Sequence, residues 1–240
     1  MISTVRVTGV PVRNGVPLLE NGDRMSQPEF HRRYAECPKG VKFELVGGTV
    51  YMAAALRWPH GSYHFELALA LGLYVKDTPG VVGADNATTI LGEESEPQTD
   101  LALRILPECG GQSRLDEDQY VVGAPELVAE IAHSSRSIDL NQKKEDYRRA
   151  GVLEYLVLSV EDQRLFWFRL PPGELITANR KGIARSAVLP GLWLHEEALL
   201  AHDMNRTEAA LRQGLASRAH ASFVRRLERA RLDRGRGGQG

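Results

Sequence analysis

The chain has 240 residues, of which 42% are hydrophobic and 25% charged, with a formal net charge of -1 and a sequence pI of about 6.7. That is the composition of an ordinary globular protein, and it gives no support of its own to a polyanionic partner. No window approaches about eighteen uninterrupted apolar residues, and MISTVRVTGV lacks a basic region followed by an apolar core. We therefore expect neither a membrane span nor a signal peptide.

Cys37 and Cys109 stand far apart, with no CxxC and no metal-ligand spacing, which speaks against a disulfide scaffold or a zinc knuckle and for a cytoplasmic location.

Taken in order, residues 1–24 are rich in Gly, Pro and Asn and read as an extended arm or an edge strand. Ser26 with Glu29 three residues on forms a capping-box pattern for a helix through about Ala35. VKFELVGGTVYMAA alternates on both sides of Gly47-Gly48, a favoured hairpin turn, and places Phe43 and Leu45 on one face with Glu44 and Val46 on the other. His60 to about Val75 reads as a helix with Leu67, Leu71 and Tyr74 in one stripe, and Pro79-Gly80 ends it.

VVGADNATTILG reads as one or two short strands, and GEESEPQ as an exposed turn. LALRIL is a strand after Asp100, followed by a long, acid-rich connection of the kind that is commonly functional or mobile. PELVAEIAH is apolar apart from Glu126 and Glu130, as expected for a strand covered on both faces. A charged helix from Asp139 to Ala150 follows, ended by Gly151. VLEYLVLSV and QRLFWFRL read as antiparallel neighbours.

The expected architecture is mixed α/β, a central mixed sheet flanked by helices, with no internal boundary across about 25–195. From Glu196 the pattern is helical to about residue 233, and residues 234–240 read as a disordered tail. After Asn205 nine arginines face three acids, which offers phosphate contacts or a solvated face. Leu211, Leu215, Phe223 and Leu227 suggest a helix that packs on something, with a second subunit, hence a homodimer, as one option.

The chemistry concentrates in Gln98–Tyr147. Asp100 and Glu130 interrupt apolar strands, where a carboxylate is costly unless paired or bound to a metal. Asp139, Lys143 and Tyr147, four apart, stack on one helical face. Two acids and a lysine would suit a magnesium ion and its waters, with Lys143 positioning or deprotonating a water. From spacing alone, this metal site and an ordinary ion pair, Glu130 with an arginine such as Arg104, are equally open. Of the accessory candidates, His60 opens a helix, where it either caps or approaches a phosphate or, the favoured reading, lies on the surface. Tyr147 reads as a packing residue that reaches solvent, and Asp139 as an N-cap. Lys144 points about a hundred degrees away from Lys143. No dinucleotide, Walker or serine-elbow motif is present.

The order of an ELVGG hairpin, an HG-initiated helix, a D strand, GAPELVAEI, D-x-x-x-K-x-x-x-Y and AGVLEYLVL, closing on PGLWL at 190–194, resembles the Uma-two family of the PD-(D/E)xK nuclease superfamily. The resemblance covers about 25–195. It implies a restriction-endonuclease-like fold and a magnesium-dependent DNA endonuclease, with manganese as a substitute. Asp100 matches the aspartate of the family's Pro-Asp strand, Glu130 the acid of its (D/E)xK strand, Lys143 its helix-borne lysine, and Glu44 the glutamate of its hairpin. Ala132 stands at the xK position, Thr99 where proline is usual, and His133 where serine is usual. None of these departures removes a ligand, although His133 could alter metal preference. The rival expectation is an inactive nuclease-fold module that binds nucleic acid or protein through the basic C-terminus.

Overall fold

The computed structural model describes residues 12–237. Residues 1–11 and 238–240, parts of the expected arm and tail, lie outside the described residues. The elements begin with β1 (Val12–Arg13), β2 (Val16–Pro17), α1 (Gln27–Ala35), β3 (Phe43–Val46), β4 (Thr49–Met52) and α2 (Trp58–Lys76). Then come β5 (Val81–Ile90), β6 (Gln98–Ile105), β7 (Arg114–Leu115), β8 (Val121–Val122) and β9 (Leu127–Ala132). A π-helical turn (Ile138–Lys143) runs into α3 (Lys144–Ala150), followed by β10 (Glu154–Ser159), β11 (Arg164–Arg169) and β12 (Glu174–Leu175). β13 (Ile183–Arg185), β14 (Trp193–His195), α4 (Glu196–Leu200), α5 (Met204–Leu215) and α6 (Arg218–Gly237) complete the chain.

Eight strands form one mixed sheet in the order β12-β11-β10-β9-β6-β5-β8-β7. β9 and β10 are its parallel centre, and β6 lies antiparallel to β9. Every residue of β9 and β10 is buried, because both faces are covered. Period-two alternation sends Leu127, Ala129 and Ile131 into the core beneath α2, and Val128, Glu130 and Ala132 towards α3. A third cluster of Phe30, Phe43, Leu45 and Val50 unites α1 with the β3–β4 hairpin. That hairpin turns through Gly47 and Gly48 at φ 55° and 74°, which side chains with a β-carbon rarely adopt.

Several expectations require correction. β5 is one ten-residue strand, since Asn86 takes a left-handed φ of 52° and keeps the strand in register across the polar bend. The GEESEPQ turn is exposed only in its first half. Ser95, Glu96 and Pro97 are buried, because Glu96 bonds Gln27 and His31 while its backbone pairs with Leu45. The capping box does not form, because Glu29 turns to the Arg32 guanidinium. The acid-rich connection carries the β7–β8 hairpin, which extends the sheet edge.

The C-terminal helices belong to the same core. Leu199, Leu211, Phe223 and Leu227 join the main apolar cluster, so these positions pack on their own chain. Helix α6 continues to Gly237, past the expected start of the tail at residue 234, and Arg234 anchors it by donating to the Pro107 carbonyl.

Candidate active site

The site forms where two central strands part. β6 and β9 pair from Leu101–Ala129 to Leu103–Leu127, and the ladder stops one step short of Asp100 and Glu130. Beyond that point the Ile131 N–H donates to Asp100 Oδ2 at 2.8 Å in place of a carbonyl. Register alone therefore sets the two acids opposite each other, each on its strand's non-core face.

The helical turn after β9 supplies the countercharge. Its wider winding places Asp139 and Lys143 on the inward side, and both are buried. Lys143 Nζ lies 3.0 Å from Glu44 Oε2, 3.1 Å from Glu130 Oε1 and 3.8 Å from Asp139 Oδ1. Tyr147, one turn further, donates its hydroxyl to Glu130 Oε1 at 2.7 Å. Glu44 arrives from β3: its neighbours Phe43 and Leu45 point into the third cluster, so it points away from that cluster, and its Oε1 accepts from the Gln98 N–H at 2.9 Å. The hairpin is held down by Gln142, which accepts from the Tyr51 hydroxyl at 2.6 Å and donates to the Val46 carbonyl at 3.2 Å.

Three carboxylates thus lie within 4 Å of one ammonium, and Asp100 stands beside Glu130. Burial works against the Lys143 charge, but Glu130, Glu44 and Asp139 more than offset it and hold its pKa well above the ordinary lysine range. Burial, joined by repulsion from the other acids, pushes Glu130 well above the usual carboxylate range and Asp139 above it as well. Asp100 is opposite in sign: burial would raise it, but hydrogen bonds from His60 and the Ile131 N–H prevail and lower it.

The cluster opens on a cavity of about 690 Å³ whose wall also carries Lys42, Arg57, His60 and His133. Among the described residues, no group of three or more His, Cys, Asp or Glu side chains is spaced to hold a metal ion. The available donors are the Asp100–Glu130 pair, and two carboxylates with remaining waters match the chemistry of magnesium. Asp100 commits Oδ2 to Ile131 and His60 and keeps Oδ1, and Glu130 commits Oε1 to Lys143 and Tyr147, while its Oε2 meets only the Asp100 N–H at 3.5 Å.

The structure gathers Asp100, Glu130, Lys143 and Glu44, and it changes four expectations. His60 is buried, with Nε2 3.3 Å from Asp100 Oδ2, because α2 begins on its inward face. Tyr147 is fully buried and reaches no solvent. Asp139 does not cap a helix, since its Oδ2 accepts from the Ser135 hydroxyl at 2.6 Å inside the helical turn. Arg104 is not the partner of Glu130 and donates instead to the Ser113 carbonyl. Lys144 points away, over the Phe168 ring. Gln142 escapes sequence reasoning, because its partners Tyr51 and Val46 lie more than ninety positions away.

The Uma2 family model, described as "Putative restriction endonuclease", matches residues 27–197. Among solved structures, the chain is similar to one from Anabaena variabilis described as "a putative nuclease belonging to DUF820". The TM-score is 0.55 at 14% identity, over 71% of this chain and 96% of that one, and likeness at this identity speaks for the fold alone. No curated protein matches the chain.

Proposed function

Because this chain belongs to the Uma2 family of restriction-endonuclease-type proteins, we propose that it is a divalent-metal-dependent endonuclease hydrolysing phosphodiester bonds of DNA, with magnesium, or manganese in its place, as the ion. The observation that carries this reading is the cluster of Glu44, Asp100, Glu130 and Asp139 around one ammonium, two of these acids buried and two half-buried, which is short of positive charge and turns Asp100, Glu130 and Glu44 to the cavity.

Asp100 and Glu130 are the residues that would hold the cation, through the oxygens not spent on Ile131, His60, Lys143 and Tyr147. Such a cation offsets charge on the phosphate and lowers the pKa of a coordinated water. Lys143 remains protonated across the neutral range, so its role is to donate hydrogen bonds to the attacking water or to a phosphate oxygen, and not to act as a base. Glu44 fixes the Lys143 ammonium from the hairpin side. Tyr147 keeps Glu130 oriented from behind, and Lys42 and Arg57 offer charge to flanking phosphates from the cavity wall.

The test is plasmid cleavage with magnesium or manganese by the wild type, Asp100→Asn and Glu130→Gln. Each substitution keeps shape and removes a negative charge, and should reduce cleavage by at least about a hundredfold, with chelation abolishing it in the wild type. Undiminished cleavage by Asp100→Asn would remove that residue from the mechanism.

A further inference from the structure

Helix α2 carries an outer face that its own chain does not use. Of the exposed positions from Trp58 to Gly72, namely Trp58, Pro59, Gly61, Phe65, Leu69 and Gly72, none is charged. Trp58 is 87% exposed, Phe65 72% and Leu69 46%. A surface helix ordinarily presents charge on this side, and a contiguous apolar patch marks an interaction site.

The two glycines are a second observation. A β-carbon added at Gly61 or Gly72 would meet no atom within 4 Å, and neither residue has a positive φ. Nothing inside the chain calls for glycine there, although each costs the helix about 1 kcal/mol relative to alanine. Room for a large side chain of a partner seated on this face gives both a reason.

The spacing of large and small side chains then selects the occupant. In an antiparallel pair of α2 helices with its two-fold axis at Phe65, Trp58 of one copy faces Gly72 of the other, Gly61 faces Leu69, and Phe65 faces its own counterpart. Each large side chain off the axis meets a glycine. Beside Gly72 an apolar groove of about 210 Å³ opens between Ala68 and Val75 of α2 and Gly83 and Ala84 of β5, where an indole can enter. The two rings offer roughly 300–400 Å². With Leu56 and Leu69 the patch approaches about 500 Å² per copy, so two copies cover about 1,000 Å², the size at which an interface becomes specific.

We propose that the outer face of α2 is the dimer interface of this protein, with a second copy of the chain packed antiparallel through Trp58, Gly61, Phe65, Leu69 and Gly72. The homodimer expected from the C-terminal helix is thereby assigned to a different surface, since α6 spends its apolar side on its own core. The face begins at the rim of the candidate active site, where Leu56 and Arg57 line the cavity.

Sedimentation of the full chain should give a dimer of about twice the 26.6 kDa chain mass. Phe65→Glu should weaken association by about a hundredfold or more while leaving the monomer folded, with an unchanged far-UV helical signal. Gly72→Leu separates fit from stickiness: it adds apolar surface yet fills the place of Trp58, so it should weaken the dimer. In a Cys37→Ser background, Phe65→Cys should cross-link to itself on oxidation, whereas Leu69→Cys should require Gly61→Cys. A chain that stays monomeric, a dimer indifferent to Phe65→Glu, one tightened by Gly72→Leu, or a Phe65→Cys chain that does not cross-link would each overturn the proposal. So would a monomer whose α2 face is shielded only by DNA.

Discussion

Replacing Lys143 with methionine keeps the stem of the side chain and removes the one cation from the centre of the cluster. Its ammonium is within 4 Å of Glu44, Glu130 and Asp139, and the side chains of Lys143, Glu130 and Asp139 are 8%, 5% and 2% exposed. Solvent cannot take over its role. Removing one partner of a buried pair costs about 3–5 kcal/mol, chiefly because the other charge stays behind. For a chain of this size that corresponds to a Tm lower by about 10 °C. The sign with pH follows from the carboxyls. Glu130 and Asp139 already sit above their unfolded values of 4.5 and 3.8, through burial first and mutual repulsion next, and without Lys143 they must rise further. The folded variant then holds protons that the unfolded chain releases, so its stability falls as pH climbs above the unfolded values. Lys143→Met should therefore be most impaired near about pH 8 and approach the wild type near about pH 4.5. Denaturant titration at the two pH values reads this directly. A variant within about 1 kcal/mol of the wild type at the higher pH, or a penalty equal at both, would refute the assignment of Lys143 as the countercharge.

Manganese or magnesium should raise the Tm of the wild type, more at about pH 8 than at about pH 5, because binding must displace the proton that Glu130 retains at the lower pH. Calorimetry in buffers of different ionisation enthalpy should show proton release, and the absence of any thermal shift at either pH would count against the cation. Tyr147→Phe should cost about 1.5–3 kcal/mol by removing a hydrogen bond to a charged acceptor, and a denaturation midpoint equal to the wild type's would deny Glu130 that support. Phe223→Ala should cost about 3–5 kcal/mol, since this side chain is 3% exposed within the main core. A neutral outcome there would return α6 to the status of an appendage.

What the sequence makes legible is what the backbone dictates locally. A continuous apolar run marked β9 as a strand covered on both faces, and a glycine pair marked the β3–β4 turn, because run length and turn geometry need no distant partner. The misread residues share a different property, namely that a remote partner sets their environment. His60 looked like a surface group until Asp100, forty positions on, supplied its hydrogen-bond partner. Tyr147 acquires its role from Glu130 on the preceding strand. Asp139 had a good local rule in its favour, the N-cap, and lost it to Ser135 and the Lys143 charge once the turn was wound as a π-helix. An acid inside an apolar strand announces that some compensating charge exists, since leaving it bare is costly. It does not announce which charge, and that is why a metal ion and Arg104 were equally eligible for Glu130. The register of β6 against β9 removes the arginine: it turns both acids towards the same cavity as the lysine and leaves Arg104 bound to a loop carbonyl. The site is therefore a property of sheet register first and of the individual residues second. A mutation that slipped β6 by one residue would move Asp100 to the core face and dismantle the cluster without altering any of its members.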